Sequence, residues 1–262
     1  MSQIISRDGT TIAYDKNGNG AVLILVDGAM GYRESHVGRP LASELSKEFT
    51  VITYDRRGRG ESTDTQPYTI EREIEDIEAL INEVGGAAFV FGFSSGAALA
   101  MEAAIKIGNK IKKLAMYEAP YNSDDTARQA WMDYRKQLKG LLAVNRRGDA
   151  VTLFMRLTGM PAAHIDEMRQ DPMWPRLESV AHTLVYDAAV LGDDASVPIE
   201  RAAGVAVPAL IMDGGASYPF MHIAATALAN AIPNAQHRTL KGQTHEVTAE
   251  ALAPILVMFF KV

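Results

Sequence analysis

The stretch Gly92-Phe93-Ser94-Ser95-Gly96 restricts the fold more than any other part of the chain. It follows the apolar run Ala87-Ala88-Phe89-Val90-Phe91 and precedes an alanine-rich run from Ala97 to Ile107, so it reads as strand, sharp turn, helix. Glycine two residues to either side of Ser94 suits a turn too tight for side chains at those positions. Without its flanks the pattern would be an ordinary Gly/Ser loop; with them it is a nucleophile elbow, which holds a serine hydroxyl strained and exposed above a sheet. The helix behind the serine points backbone N–H groups at the same spot, and these favour negative charge developing there.

The surrounding pattern is that of alternating strands and helices. Residues 3–6 and 11–15 read as a hairpin around Arg7-Asp8-Gly9-Thr10 at a sheet edge. The run Ala21 to Val26 shows no alternation, as a strand covered on both faces requires, and ends at Asp27-Gly28-Ala29-Met30-Gly31. A helix over about 34–48 and a strand at Thr50–Tyr54 follow. Next come the loop Asp55-Arg56-Arg57-Gly58-Arg59-Gly60-Glu61-Ser62 and an amphipathic helix from Ile70 to Val84, expected to carry a solvated acidic face. Past the elbow helix, a buried strand from Ile111 to Tyr117 stops at Glu118. The order implies an α/β fold with a mostly parallel, doubly wound sheet. Ligands then meet the carboxyl ends of the strands.

From Pro120 the pattern changes. Residues 120–205 lack a buried strand and show helical spacing of Trp131, Tyr134, Leu138 and Leu142, then Val151, Phe154 and Met155. They are read as a helical lid inserted between two core strands, with residues 1–119 and 206–262 forming the core. The core resumes at Val207–Met212, with a helix near 220–231, a strand near 236–240, the loop Gly242-Gln243-Thr244-His245 and a final helix starting about Pro254.

Composition narrows the partners. A net charge of −6 over 262 residues, without a run of Lys or Arg, leaves no electrostatic footprint for nucleic acid or an anionic membrane. The absence of cysteine excludes disulfides, thiolate nucleophiles and Cys-ligated metals. The first residues lack the basic start and apolar core of a signal peptide, and the apolar runs are too short to span a bilayer, which makes a cytoplasmic protein the expectation. Oligomeric state is not legible.

A serine hydroxyl needs a base, and the base an orienting acid. Among six histidines only His245 falls in a loop directly after the last strand; His237 sits inside a strand, while His36, His164, His182 and His222 fall in helical stretches, with His182 or His164 as pocket-lining alternatives. The acid should leave a strand end between serine and histidine in chain order. After the Val207 strand the loop reads Asp213-Gly214-Gly215-Ala216-Ser217, with Ser217 where the acid is expected and Asp213 too near the strand. Glu118, at the end of the strand after the elbow, is the first choice and Asp213 the second. The oxyanion-stabilising donors are expected to be the N–H groups of Ser95 and Ala29. Asp27, beside Ala29, is expected to turn back onto loop N–H groups, and the arginine-rich loop to be a turn held by ion pairs.

These residues resemble the α/β-hydrolases along nearly the whole chain: Asp27-Gly28-Ala29, Tyr54 to Gly60, the elbow, and Gly242 to His245. Within that superfamily, Asp27-Gly28 where most members have His-Gly, Gly92 to Ala97, and a glutamate at 118 look like the zearalenone lactonases. Asp171-Pro172-Met173-Trp174-Pro175 is similar to that group's lid tryptophan stretch, which implies substrate contact for Trp174, with lid packing as the alternative; Met30 and Ser217 are placed with it as substrate-binding residues. The expected function is a serine hydrolase cleaving a small apolar ester or lactone through an acyl-enzyme, with Ser94, His245 and Glu118 as catalytic triad. No metal or organic cofactor is implied. The alternative is a non-hydrolytic small-molecule receptor or lyase on the same fold.

Overall fold

A computed structural model of the chain describes residues 1–35 and 38–261, so His36 lies outside the described residues. The strands are β1 (Ser2–Ile5), β2 (Thr11–Asn17), β3 (Val22–Val26), β4 (Thr50–Tyr54), β5 (Ala88–Phe93), β6 (Ile111–Tyr117), β7 (Ala209–Gly214) and β8 (Ala235–Leu240). They form one sheet in the order β1-β2-β4-β3-β5-β6-β7-β8. β1 and β2 pair antiparallel, as do β2 and β4, and every pair from β4 onward is parallel. This is the expected doubly wound α/β sheet with its antiparallel edge. The chain leaves β3 toward β4 on one side and returns to β5 on the other, so the strand order reverses at β3 and opens a crevice at its carboxyl end.

Two apolar layers cover the sheet. On one face α2 (Ile70–Glu83), α3 (Ser95–Ile107) and α10 (Pro219–Ala231) pack through Ile77, Leu80, Ala100, Ala104, Ala225 and Leu228 against Ile24, Val90, Leu114 and Ile211. On the other, α1 (Gly38–Leu45) and α11 (Ala249–Lys261) bury Leu41, Leu45, Leu252, Leu256 and Phe260 against Leu25, Phe91, Tyr117 and Met212. Alternation along each strand explains the division, since successive side chains leave opposite faces. The alanines of α3 let it lie close to β5 and β6.

Between β6 and β7 run α4 (Asp125–Ala143), α5 (Arg147–Leu157), α6 (Ala162–Met168), α7 (Trp174–Val180), α8 (Leu184–Leu191) and α9 (Ile199–Ala202), with no strand among the described residues. Tyr134, Leu138, Val151, Met155, Ile165 and Trp174 form their own buried cluster, against which Ala29 and Met30 also pack. Among the described residues no helix is long and apolar enough to cross a membrane.

Two expectations about the helices are corrected. Pro254 does not open the last helix but lies inside α11, at an exposed position, where it cannot donate an N–H to the turn before it. The acidic face of α2 is not wholly solvated: Glu73 and Asp76 are buried, each clamped by an arginine of the loop after β4.

Candidate active site

β5, β6 and β7 end side by side, and their register sets the site. Phe93 pairs with Tyr117, and Tyr117 with Met212, so Ser94 and Glu118 leave their strands at one level, beside Asp213, which still belongs to β7. Backbone bonds from Ser94 N to Tyr117 O (2.9 Å) and from Glu118 N to Met212 O (3.0 Å) carry the pairing one residue further.

At the first of these positions the chain turns sharply. Ser94 has φ +55° and ψ −127°, a left-handed conformation that a residue with a side chain enters only at a cost of about 1–3 kcal/mol. Close packing enforces it. A Cβ on Gly92 would stand 2.4 Å from Gly96 O, and one on Gly96 would stand 2.3 Å from Val26 O, so neither position admits a side chain. The elbow is thereby pressed against β3, with Ser95 as the first residue of α3.

Three sequence-expected residues meet here. His245 Nε2 lies 3.2 Å from Ser94 Oγ, and His245 Nδ1 lies 2.7 Å from Glu118 Oε2. Glu118, itself at φ +47°, is buried, while Ser94 and His245 are half-buried and reachable from outside. The carboxylate accepts two further hydrogen bonds, from Gly214 N–H to Oε1 (2.7 Å) and from the Ser217 hydroxyl to Oε2 (2.9 Å). Three donors, counting Nδ1–H, therefore converge on the carboxylate, and the Glu118 backbone is fixed by its own bond to Met212 O, so that one oxygen is aimed at the imidazole. The His245 loop is held by Tyr117, whose hydroxyl donates to Thr244 O (2.6 Å), and by Ala216 N–H donating to Gln243 O (2.8 Å). Burial, with Glu118 and Asp213 adding, pushes the Tyr117 phenol above its ordinary value, so it remains a donor. Phe93 flanks the imidazole, ring centroids 5.0 Å apart.

Asp213, the second choice for the acid, does not reach His245. It belongs to β7 rather than to the loop after it, and its buried carboxylate is taken by His222 (3.0 Å), His237 (2.6 Å) and Thr239 (3.1 Å). Ser217 stands where a substrate contact was expected, but its hydroxyl is engaged by Glu118. Trp174 is 6% exposed within the helical cluster, with Arg169 over its ring at 5.4 Å, so its contacts here are packing ones. Met30, half-buried at φ +59°, and Ala29 adjoin the same cluster above the elbow. His164 is exposed, and His182 lies beside Asp64 and Gly58.

The arginine-rich loop is the expected turn held by ion pairs, and it does more than close itself. Arg56, Arg57 and Arg59 are all buried. Arg56 binds Glu73 through two nitrogens (2.6 and 2.7 Å) and Asp187 Oδ1 (2.7 Å); Arg59 binds Asp187 Oδ2 (2.8 Å), Thr183 Oγ1 (3.1 Å) and Gly28 O (2.6 Å). Asp187 also accepts from the Ser95 hydroxyl (2.8 Å). Burial pushes the Asp187 carboxyl up, but Arg59 and Arg56 outweigh it and hold it below its ordinary value. Asp187, on α8, thus ties the helical segment to the elbow and to the loop after β3. Sequence reading missed it, although a lone acid inside the apolar run Leu184 to Leu191 was the available signal.

Asp27 turns back as expected, accepting from Gly28 N–H (2.7 Å) and from the Ser35 hydroxyl. Burial raises its carboxyl above the ordinary value against these donors and Arg59 and Arg56.

Comparisons with known proteins agree with this architecture. An alpha/beta hydrolase from Sphaerobacter thermophilus DSM 20745 is 50% identical, with 99% of this chain and 100% of that chain covered and a TM-score of 0.88. The enol-lactonase from Burkholderia xenovorans LB400 shares the fold at 22% identity, with full coverage of both chains and a TM-score of 0.71. Among curated proteins, the uncharacterized hydrolase YraK of Bacillus subtilis (strain 168) is 28% identical over 159 residues, 57% of this chain and 55% of that protein. The proline iminopeptidase PfmaB of Pestalotiopsis fici is 26% identical over 121 residues, 44% of this chain and 43% of that protein. The chain thus spans about half the length of the curated relatives it matches. The family described as "Alpha/beta hydrolase family" matches residues 23–253. On that match, and on the likeness to the Sphaerobacter protein over nearly its full length, the chain belongs to the alpha/beta hydrolase family.

Proposed function

We propose that this protein is a serine hydrolase that cleaves the carboxylic ester or lactone bond of a small apolar substrate through an acyl-enzyme. The observation that carries this reading is the continuous hydrogen-bonded line from Ser94 Oγ through the His245 imidazole to the buried Glu118 carboxylate, 3.2 and 2.7 Å long. In the proposed mechanism Ser94 Oγ attacks the carbonyl carbon while His245 Nε2 takes the hydroxyl proton, and Glu118 stabilises the imidazolium through Nδ1–H. The developing oxyanion is received by the N–H groups of Ser95 and Ala29. Arg59 supports the second donor: it holds Gly28 O, and because a trans peptide directs C=O and N–H oppositely, the Ala29 N–H points away from that guanidinium. The tetrahedral adduct collapses, the C–O bond breaks and the leaving alkoxide takes the proton from Nε2. A water then repeats the sequence on the acyl group and regenerates Ser94. With a lactone the released hydroxyl stays on the acyl chain, and the second step frees a single hydroxy acid.

Residues 120–205 act in this reading as a cap over the strand ends. The Met30 and Ala29 side of the loop after β3, adjoining the Trp174 cluster, offers an apolar wall for the substrate's acyl or alcohol part. The lactone assignment draws on the likeness to zearalenone lactonases in Asp27-Gly28, Gly92 to Ala97 and Glu118.

Replacing Ser94 by Ala is expected to lower kcat/KM for p-nitrophenyl acetate at least about 10³-fold, and to abolish labelling by a fluorophosphonate. Undiminished turnover in that variant removes the mechanism. Labelling of the unsubstituted protein without turnover across a panel of esters and lactones favours the receptor or lyase reading instead.

A further inference from the structure

The capture of Asp213 by two histidines leaves a cluster that the proposed mechanism does not use. Asp213 sits at the end of β7, His237 on the neighbouring β8, and His222 in the first turn of α10, which packs on that face of the sheet. The parallel register pairs Ile211 with His237 and Asp213 with Thr239, so all four side chains leave the same face. His222 Nδ1 faces Asp213 Oδ2 at 3.0 Å, His237 Nε2 faces Oδ1 at 2.6 Å, and the three potential ligand atoms lie within 4.8 Å of one another. Among the described residues it is the only group of three or more His, Asp or Glu side chains so arranged. The carboxylate is 1% exposed, whereas the His222 side chain is 57% exposed, so the cluster has a rigid anionic floor and an open side.

We propose that Asp213, His222 and His237 bind a divalent transition-metal ion of the zinc type. Two imidazole nitrogens and one carboxylate oxygen suit a borderline cation, while Ca²⁺ and Mg²⁺ demand oxygen-rich shells. Bonds of about 2.0–2.1 Å in a tetrahedron place neighbouring ligand atoms about 3.3 Å apart, so the contacts of 3.0 and 2.6 Å to the carboxylate must lengthen and the side chains reorient by less than about 1 Å to admit the ion. The free fourth position faces the solvent beside His222. Each neutral imidazole moves its proton to its other nitrogen on binding, so the ligating atom presents a lone pair and no net proton is lost. Thr239 donates to Asp213 Oδ1 (3.1 Å) and serves as the outer partner that orients the carboxylate.

The position of the cluster gives the ion a structural use. Gly214, next to Asp213, donates to Glu118, and β8 leads through residues 241–244 to His245. A cation here therefore clamps β7, β8 and α10 directly beneath the two segments that hold the acid and the base, on the side of the sheet opposite α11. The cluster does not depend on the hydrolytic reading.

The test uses the full-length, tag-free, chelator-treated protein titrated with ZnCl₂ by calorimetry, alongside thermal melts and Co²⁺ absorption spectra. One ion per chain is expected, with a Tm that rises with free Zn²⁺ and Co²⁺ d–d bands of a low-coordinate nitrogen and oxygen site. His222→Ala, on an exposed side chain, and His237→Gln are expected to keep the fold by circular dichroism while weakening binding at least about tenfold. Ca²⁺ and Mg²⁺ are expected to leave Tm unchanged. Absence of saturable Zn²⁺ binding, or equal binding in wild type and folded His222→Ala, overturns the proposal and leaves a hydrogen-bonded Asp–His cluster only.

Discussion

At the residue scale, the site depends on two backbone conformations that side-chain-bearing residues rarely adopt. Ser94 at φ +55° and Glu118 at φ +47° each concentrate strain where a side chain must be aimed, and the register of β5, β6 and β7 holds both. Ser217 shows how a role hidden from sequence emerges. It stands 99 positions from Glu118, and only the approach of β7 to β6 brings its hydroxyl to Oε2. Ser217→Ala removes a hydrogen bond to a charged group, which typically contributes about 1.5–3 kcal/mol. If it supports the acid, kcat for p-nitrophenyl acetate is expected to fall roughly 10-fold or more with KM little changed; steady-state kinetics check this, and a rise in KM at constant kcat would restore Ser217 as a substrate contact.

At the element scale, α2 and the loop after β4 are interdependent. The acids of α2 read as a solvated face because helical periodicity reports only the direction of a side chain and not what lies beyond it. Glu73 and Asp76 instead meet Arg56 and Arg57, so the polar stripe is buried by its partners. Arg59 belongs to the same network on the other side, joining Asp187, Thr183 and Gly28. Arg59→Met leaves Asp187 with a single arginine in a dry environment, and breaking a buried pair in this way costs about 3–5 kcal/mol. Lys110→Met, which removes a solvent-exposed pair with Glu78, is expected to cost about 1 kcal/mol or less. Urea denaturation of the two variants distinguishes these; comparable small losses would mean that the arginine network contributes little.

At the scale of the whole molecule, the helical segment is joined to the core by charge as well as by apolar contact. Asp187 links α8 to α3 through Ser95 and to the loop after β4 through Arg56 and Arg59. Its folded-state value lies below that of the unfolded chain, about 3.9. The unfolded chain therefore takes up a proton first on acidification, so the stability Asp187 lends is complete above about pH 4 and declines as pH falls toward the folded value. Asp76 acts with the opposite sign: burial, against Arg57, pushes it up to about 6, so its contribution is present at low pH and fades as pH rises through that value. Unfolding free energy measured by urea between pH 5 and pH 3 is expected to fall less steeply in Asp187→Asn than in the wild type. Equal slopes would show that the Asp187 cluster does not govern acid stability.

The chain by itself determined the alternation of strands and helices, the elbow at Ser94, and the strand ends that carry Glu118 and His245, because these follow from local periodicity, turn chemistry and chain order. What Asp213, Ser217, Asp187 and Trp174 touch was decided only in three dimensions. The period of a strand or helix fixes which face a side chain such as Asp213, Asp187 or Trp174 leaves by, and for a loop residue such as Ser217 not even that; tertiary packing alone supplies the neighbours: two histidines for Asp213, a carboxylate for Ser217, two arginines for Asp187 and a closed apolar cluster for Trp174.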